Sequence, residues 1–145
     1  LSTPTELYER PQSPFIADFV GHSNLLEADV QNTPSGELLV CFGKSHWLRV
    51  ERLLGPTNGG HVAVAVRPEN VILRPFARQS AAAEQNVIPG RIVQRDFLGA
   101  HYHYVVETPG GSIRAETATR METGEVLVEL PVHACIAFGK AANGN

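Results

Sequence analysis

Hydrophobic and polar residues follow a helical period near the start of the chain. Thr3-Pro4 and, further on, Ser13-Pro14 are typical helix starts, because a capping hydroxyl precedes a proline at the first helical position. Apolar residues recur at helical spacing over 15–20, and Gly21 can end the second helix. The pattern therefore predicts two short helices in series.

From residue 25 onwards the period changes to two, and short apolar runs alternate with turns rich in glycine and proline. Such alternation predicts strands joined by tight turns. Pro89-Gly90 interrupts one long run and predicts a bend or bulge there. Many short, regularly spaced strands are typical of a closed or nearly closed barrel, so we predict a mainly β, OB-like β-barrel preceded by two short helices. The predicted strands are 26–31, 37–42, 47–54, 61–67, 70–73, 87–97, 101–108, 112–116, 126–130 and 135–138.

A polar, alanine-rich stretch at 79–85 is the best linker candidate in the chain. It divides the β region, 25–145, into strand groups at about 25–78 and 86–139. These groups form either one compact unit or two abutting small barrels. Residues 1–24 are interpreted as a separate helical segment.

Composition and charge exclude several classes of protein. The 145 residues carry a formal net charge of −3, and lysine and arginine form no basic stripe of the kind that binds nucleic acid. No apolar run is long enough to span a bilayer. Cys41 and Cys135 lie far apart in apolar runs, which favours two buried thiols in a reducing compartment over a disulfide framework.

Gly43-Lys44-Ser45 is similar to the end of a phosphate-binding loop. The upstream glycine that such a loop needs is replaced by Leu38, and 46–50 is predicted as a strand where the loop would open a helix. A nucleotide site is therefore rejected here.

His101 and His103 lie two apart on a predicted strand, so both project from one face. Such a pair is half of a zinc site, and Asp96, Glu116 and His133 are the candidates for a third ligand. Because no ligand spacing supports them, an exposed strand face is the better interpretation. Core or hairpin packing is likewise preferred over base stacking for the aromatic residues Trp47, Tyr102 and Tyr104.

Two stretches carry a resemblance to a known family. Residues 3–11, continuing into 13–24, resemble the segment that leaves the nucleotide-binding domain of ABC importer ATPase subunits of the polyamine, iron and sugar type. Residues 64–71, with Arg67-Pro68-Glu69 at their centre, resemble the hallmark strand and turn of the transport-associated OB (TOBE) domain in these subunits. Phe97-Leu98-Gly99 is a weaker third match.

The resemblance implies a C-terminal regulatory and dimerisation domain of an importer's ATP-binding subunit. ATP and Mg²⁺ would belong to an ATPase domain upstream, consistent with a chain that opens on Leu1 and whose lone methionine is Met121. We therefore expect no catalysis, cofactor or metal in this chain. The expected partners are a second copy, the permease subunits through the ATPase domain, and a small-molecule or protein regulator, but no nucleic acid. The expected location is cytoplasmic, peripheral to the inner membrane.

Arg67, Pro68 and Glu69 are predicted to be structural. Pro68 cannot donate to a strand ladder and holds the residue before it extended, so the motif ends a buried strand. Asn24, Arg67, His101 and His103 are the candidates for ligand or interface contacts. The alternative function is a stand-alone OB-type module that binds small anions or single-stranded nucleic acid.

Overall fold

The computed structural model describes residues 14–31, 38–43, 46–55, 58–77 and 86–139. Four predicted features lie outside these ranges: the first helix, the turn at Pro34-Ser35-Gly36, the linker at 79–85, and the tail from Lys140. Among the described residues, no helix has the length and hydrophobicity needed to cross a bilayer.

The described residues form one α-helix, α1 (Pro14–Gly21), and eleven strands. Three short 3₁₀ turns connect some of them, at Asn58–Gly60, Pro68–Asn70 and Val132–Ala134. The predictions of a mainly β fold and of a helix ending at Gly21 are confirmed. The strands are β1 (Asn24–Gln31), β2 (Leu39–Phe42), β3 (His46–Arg49), β4 (Arg52–Leu54), β5 (His61–Val66), β6 (Ile72–Pro75), β7 (Val87–Leu98), β8 (His101–Thr108), β9 (Gly111–Thr117), β10 (Gly124–Glu129) and β11 (Ile136–Gly139).

The single strand predicted over 47–54 is wrong, because the chain changes partner in its middle. Val50 donates its backbone N–H to Leu38, next to β2, whereas Glu51 donates to Cys135, next to β11. β3 therefore pairs with β2, and β4 pairs with β11 in the only parallel contact among the described strands.

Two other predicted features are displaced. The piece predicted at 70–73 begins two residues late, because Val71 still donates to Pro68 and closes the 3₁₀ turn before β6 starts. The bulge expected at Pro89-Gly90 lies between Ile92 and Gln94. Pro89 and Gly90 stay in register with β10, and Gly90 is required there because a Cβ would lie 2.7 Å from a methyl of Val106.

The strands form two curled sheets that build OB-like barrels. The first sheet has the order β3-β2-β1-β5-β11-β4, and the second has the order β6-β10-β7-β8-β9. The core lies between their inner faces. It includes Val62, Val64 and Val66 on one face of β5, as the alternation predicts. Ala63 and Ala65 on the opposite face are equally buried.

The two sheets repeat one strand pattern and exchange a strand. β1, β2, β3 and β5 of the first sheet correspond to β7, β8, β9 and β10 of the second, and a 3₁₀ turn follows both β5 and β10. The strand after each turn crosses over, so that β6 pairs with β10 and β11 pairs with β5. The strand groups on either side of 79–85 are thus joined by pairing in both directions.

Two buried asparagines at equivalent positions tie the sheets together. The side-chain amide of Asn24, at the start of β1, pairs with both backbone groups of Arg114 in β9, at 2.9 Å each. The amide of Asn86, just before β7, pairs in the same way with Arg49 in β3 and also donates to the carbonyl of Leu130. Each amide thus takes the place of a strand at a sheet edge.

Candidate functional site

A cleft of about 300 Å³ lies where the end of α1 and the turn after β5 meet β8 and β9. Gly21 and Pro68 are the two uncharged residues of its lining. Six charged or titratable side chains line the rest: His22, Arg67, Glu69, His103, Arg114 and Glu116. Of the residues predicted as contact candidates, the cleft brings together Arg67 and His103.

Arg67 connects the end of β5 with the 3₁₀ turn that follows it and with α1. Its Nε donates to Glu69 Oε2 at 2.7 Å, and its Nη1 lies 3.7 Å from a carboxylate oxygen of Asp18 in α1. The hydrogen bond from Arg67 lowers the pKa of Glu69, and that carboxylate in turn raises the pKa of Arg67. Pro68 opens the 3₁₀ turn between them. The structural role predicted for the motif depends on this contact and stays a prediction.

His103 is hydrogen-bonded through Nε2 to Glu116 on the neighbouring strand. Asp96 stands opposite His103 on its other side, so two of the predicted third ligands flank it in register. His101 is exposed, and His133 lies in the last 3₁₀ turn. Within the described ranges, no three histidine, cysteine, aspartate or glutamate side chains are placed so that they could hold a metal ion.

The sequence analysis missed two cleft residues, His22 and Arg114, of which Arg114 is the more informative. The amide of Asn24 bonds to both backbone groups of Arg114, while its exposed guanidinium forms no hydrogen bond or ion pair with a described residue. Asn24 is only 5% exposed and both ends of its amide are used, so it supports the cleft from below. No local motif marks Arg114, because its placement depends on a residue 90 positions away.

A second cavity, of about 270 Å³, lies on the first sheet. Asp29 there is paired with His61, with 2.7 Å between Oδ1 and Nδ1. Cys41 lines the cavity as a half-buried free thiol, and Cys135 is buried and also free. The prediction of two buried thiols is therefore correct for Cys135 and only half correct for Cys41.

Gly43 forms the turn between two antiparallel strands, β2 and β3, and no helix follows it. A Cβ on Gly43 would lie 2.6 Å from Cα of Gly110, so Gly43 itself packs against the turn between β8 and β9. Lys44 and Ser45 lie outside the described residues. The strand predicted after them is confirmed, and with it the argument against a phosphate-binding loop.

The aromatic residues divide into two kinds. Tyr104 belongs to the core, where its hydroxyl donates to the carbonyl of Thr119 and accepts from the N–H of Met121. Tyr102 stacks against it, with 6.0 Å between the ring centroids. Trp47 remains 45% exposed on β3, so core packing does not explain it.

Comparison with known proteins agrees with the fold and adds a family. Residues 64–138 match the family model of the TOBE domain. The Fe(3+) ions import ATP-binding protein FbpC of Rhizobium etli is 37% identical over 113 residues, which cover 77% of this chain and 29% of that protein. The spermidine/putrescine import ATP-binding protein PotA of Roseobacter denitrificans is 26% identical over 144 residues, covering 97% of this chain and 38% of that protein. The chain thus spans well under half the length of these relatives.

Among solved structures, the molybdate-bound form of the cytoplasmic molybdate-binding protein ModG has a similar fold. The TM-score is 0.52 over 81% of this chain and 96% of that one, at 10% sequence identity. At this identity the likeness shows the OB-like fold alone.

Proposed function

The chain belongs to the TOBE domain family, and from this membership we propose that it is the accessory domain of the ATP-binding subunit of an ABC solute importer. The observation that carries the proposal is the 37% identity to an iron import ATP-binding protein over 113 residues. The match of the family model to 64–138 supports it, since this segment includes Arg67-Pro68-Glu69 and Phe97-Leu98-Gly99.

In this role the domain carries no catalysis. It pairs with a second copy and regulates the ATP-binding domains, whose hydrolysis of ATP drives solute uptake. The permease subunits are partners of the whole subunit, which places the domain at the cytoplasmic side of the inner membrane. The contact from Arg67 to Asp18 favours a regulatory role, because it joins the barrel to α1, the first described element of the chain.

A chimera tests the proposal. The matched segment of the Rhizobium etli relative is replaced by this chain, and Fe(3+) uptake is measured in cells that lack the native subunit. We expect uptake well above that of the truncated relative, because the accessory domain restores pairing and regulation. An unrelated β domain of similar size serves as the matched control. Uptake no better than with that control would refute the proposal.

A second candidate function is the binding of a small anion in the cleft. The observation that favours it is the free guanidinium of Arg114 on a fixed backbone, beside Arg67. Guanidinium groups bind oxyanions and carboxylates through paired hydrogen bonds, and the similar fold of ModG binds molybdate.

Thermal unfolding with molybdate, sulfate or phosphate tests this candidate, because a ligand selective for the folded state raises the melting temperature. We expect Arg114→Gln to abolish the rise and Arg91→Gln, an equally exposed strand arginine outside the cleft, to retain it. The absence of any rise with the unmodified chain would exclude the function.

A further inference from the structure

β7 continues beyond the barrel to which it belongs. It has 12 residues, against 8 for β1, its counterpart in the first sheet. Its pairing with β10 ends at Ile92, whereas its pairing with β8 continues to Leu98. Over 93–98, β7 therefore has a strand partner on only one side among the described residues. We call this segment, residues 93–98, the overhang, and the bulge between Ile92 and Gln94 lies where it begins.

The overhang carries the three most exposed large hydrophobic side chains of the described residues. Val93 is 51%, Phe97 60% and Leu98 59% exposed. Phe97 is not loose, because its ring lies 4.9 Å from that of Tyr102, centroid to centroid, at an angle of 53°. Exposed apolar side chains gathered on one strand segment are typical of a surface that contacts another protein.

The backbone of the overhang is open as well. Leu98 and His101 close the hairpin over the two-residue turn at Gly99-Ala100, so their backbone groups bond to each other. By the alternation of an antiparallel ladder, the N–H and C=O of Phe97 then point away from β8. An open edge with apolar side chains is a template for an added strand.

We propose that this open edge of β7 pairs antiparallel with the same edge of a second copy of the chain. The proposal rests on the pairing in the proposed function and names the surface that performs it. An antiparallel edge is complementary to its own image across a twofold axis. Arg95 and Asp96 are the only charged residues of 93–98, so the segment is neutral and does not repel its copy.

Charge also selects the register. A twofold axis through an antiparallel pair places one residue opposite itself, and like charges directly opposite destabilise a sheet. This disfavours Arg95 and Asp96 at the axis, and Arg95 is further engaged with the carbonyl of Met121 and the carboxylate of Glu122. By the alternation of the ladder the backbone groups of Gln94 and Leu98 point towards β8, and Val93 lies in the bulge. Phe97 is left, with an outward backbone and an apolar ring. Its Cα atoms in the two copies would be about 5.5 Å apart, as in a hydrogen-bonded pair.

The expected association is weak. With Phe97 at the axis, residues 96–98 of each copy face one another, and three residues a side bury less than the roughly 1,200–2,000 Å² of a stable complex. Two such domains held in one transporter would still pair, because tethering raises their effective concentration. For the isolated chain we therefore expect a dimer that dissociates on dilution.

Light scattering across a concentration series tests the surface on the 145-residue chain. Phe97→Ser and Leu98→Ser should each shift the monomer–dimer midpoint at least tenfold to higher concentration. Trp47→Ser is the matched control, since Trp47 is 45% exposed on the edge strand β3, and it should leave the midpoint unchanged. A dimer insensitive to both β7 variants overturns this surface and leaves the importer assignment to the chimera. A monomer at every concentration also overturns it.

Cross-linking tests the register independently, in a Cys41→Ser background that retains only the buried Cys135. Phe97→Cys should form a disulfide-linked dimer under mild oxidation, because the Cα separation at the axis falls within the 4.4–6.8 Å that a disulfide spans. Leu98→Cys is equally exposed but lies off the axis and should cross-link much more slowly. Equal rates for the two variants would overturn the register.

Discussion

Removing the side-chain amide of Asn86 should destabilise the fold more than a substitution of the same size at any exposed residue. Asn86 is 4% exposed. Its Oδ1 accepts from the N–H of Arg49 at 2.7 Å, and its Nδ2 donates to the carbonyls of Arg49 and Leu130, at 2.9 and 2.7 Å. Its φ of 61° lies in the left-handed region, which asparagine tolerates better than most residues.

Asn86→Ala removes three hydrogen bonds to backbone groups and leaves the carbonyl of the fully buried Leu130 without this donor. A typical net contribution of about 1 kcal/mol per bond gives roughly 3 kcal/mol. The left-handed conformation adds about 1 kcal/mol for alanine. The free energy of unfolding should therefore fall by about 4 kcal/mol, which lowers the melting temperature by roughly 8–16 °C for a chain of this size.

Urea unfolding followed by fluorescence and far-UV circular dichroism measures this loss. Trp47 is the only tryptophan and lies in β3, the strand that Asn86 holds. Asn86→Gly should cost roughly 0.5–1 kcal/mol less than Asn86→Ala, because glycine accepts the positive φ. Asn24→Ala should cost about 2 kcal/mol, since it loses two bonds at an ordinary φ. A loss below about 1 kcal/mol for Asn86→Ala would refute the strand-replacing role of the amide.

Three further outcomes are expected. Burial raises the pKa of Cys135 from 9.0 to about 12, so as the pH rises the thiol ionises first in the unfolded chain. The free energy of unfolding should therefore fall by up to about 1.4 kcal/mol per pH unit above pH 9. Denaturant titrations of Cys135→Ala should lack this slope. The hydrogen bond from Arg67 lowers the pKa of Glu69, so the stabilisation it gives is present at neutral pH and lost on acidification. Arg67→Gln should raise the carboxyl titration midpoint of Glu69 by NMR, and an unmoved midpoint would contradict the pairing. Gly110→Ala should cost about 2 kcal/mol by calorimetry, because a Cβ would lie 2.7 Å from the ring of the buried Phe42.

Alternation and turn residues were enough to predict the strands, because both are local. The run over 61–67 and the strands 101–108 and 112–116 contain their own turn and burial signals, and all three are confirmed. The break inside 47–54 has no local signal, since it arises when Glu51 bonds to Cys135, a residue 84 positions later. The exchange of β6 and β11 was missed for the same reason, because no single segment of the sequence indicates which distant strand it pairs with.

The candidate site shows a similar division. Arg67 was found because its motif is contiguous, and His103 because its strand pattern is. Arg114 and the role of Asn24 depend on a contact between the two sheets. One signal was present but not used: an asparagine followed by two apolar residues occurs at 24–26 and again at 86–88. Read as a repeat, it would have indicated two equivalent halves.

The exchange of β6 and β11 locks the two halves of the domain together. Each half contributes the strand that completes the other, and Asn24 and Asn86 bond across the same division. Neither half can then open without breaking backbone pairs in both sheets, so the domain should respond as one body. A shift of α1 transmitted through Arg67 would move the β7 overhang along with the cleft. The Arg67–Asp18 contact and the edge proposed for pairing thus lie on one interlocked unit.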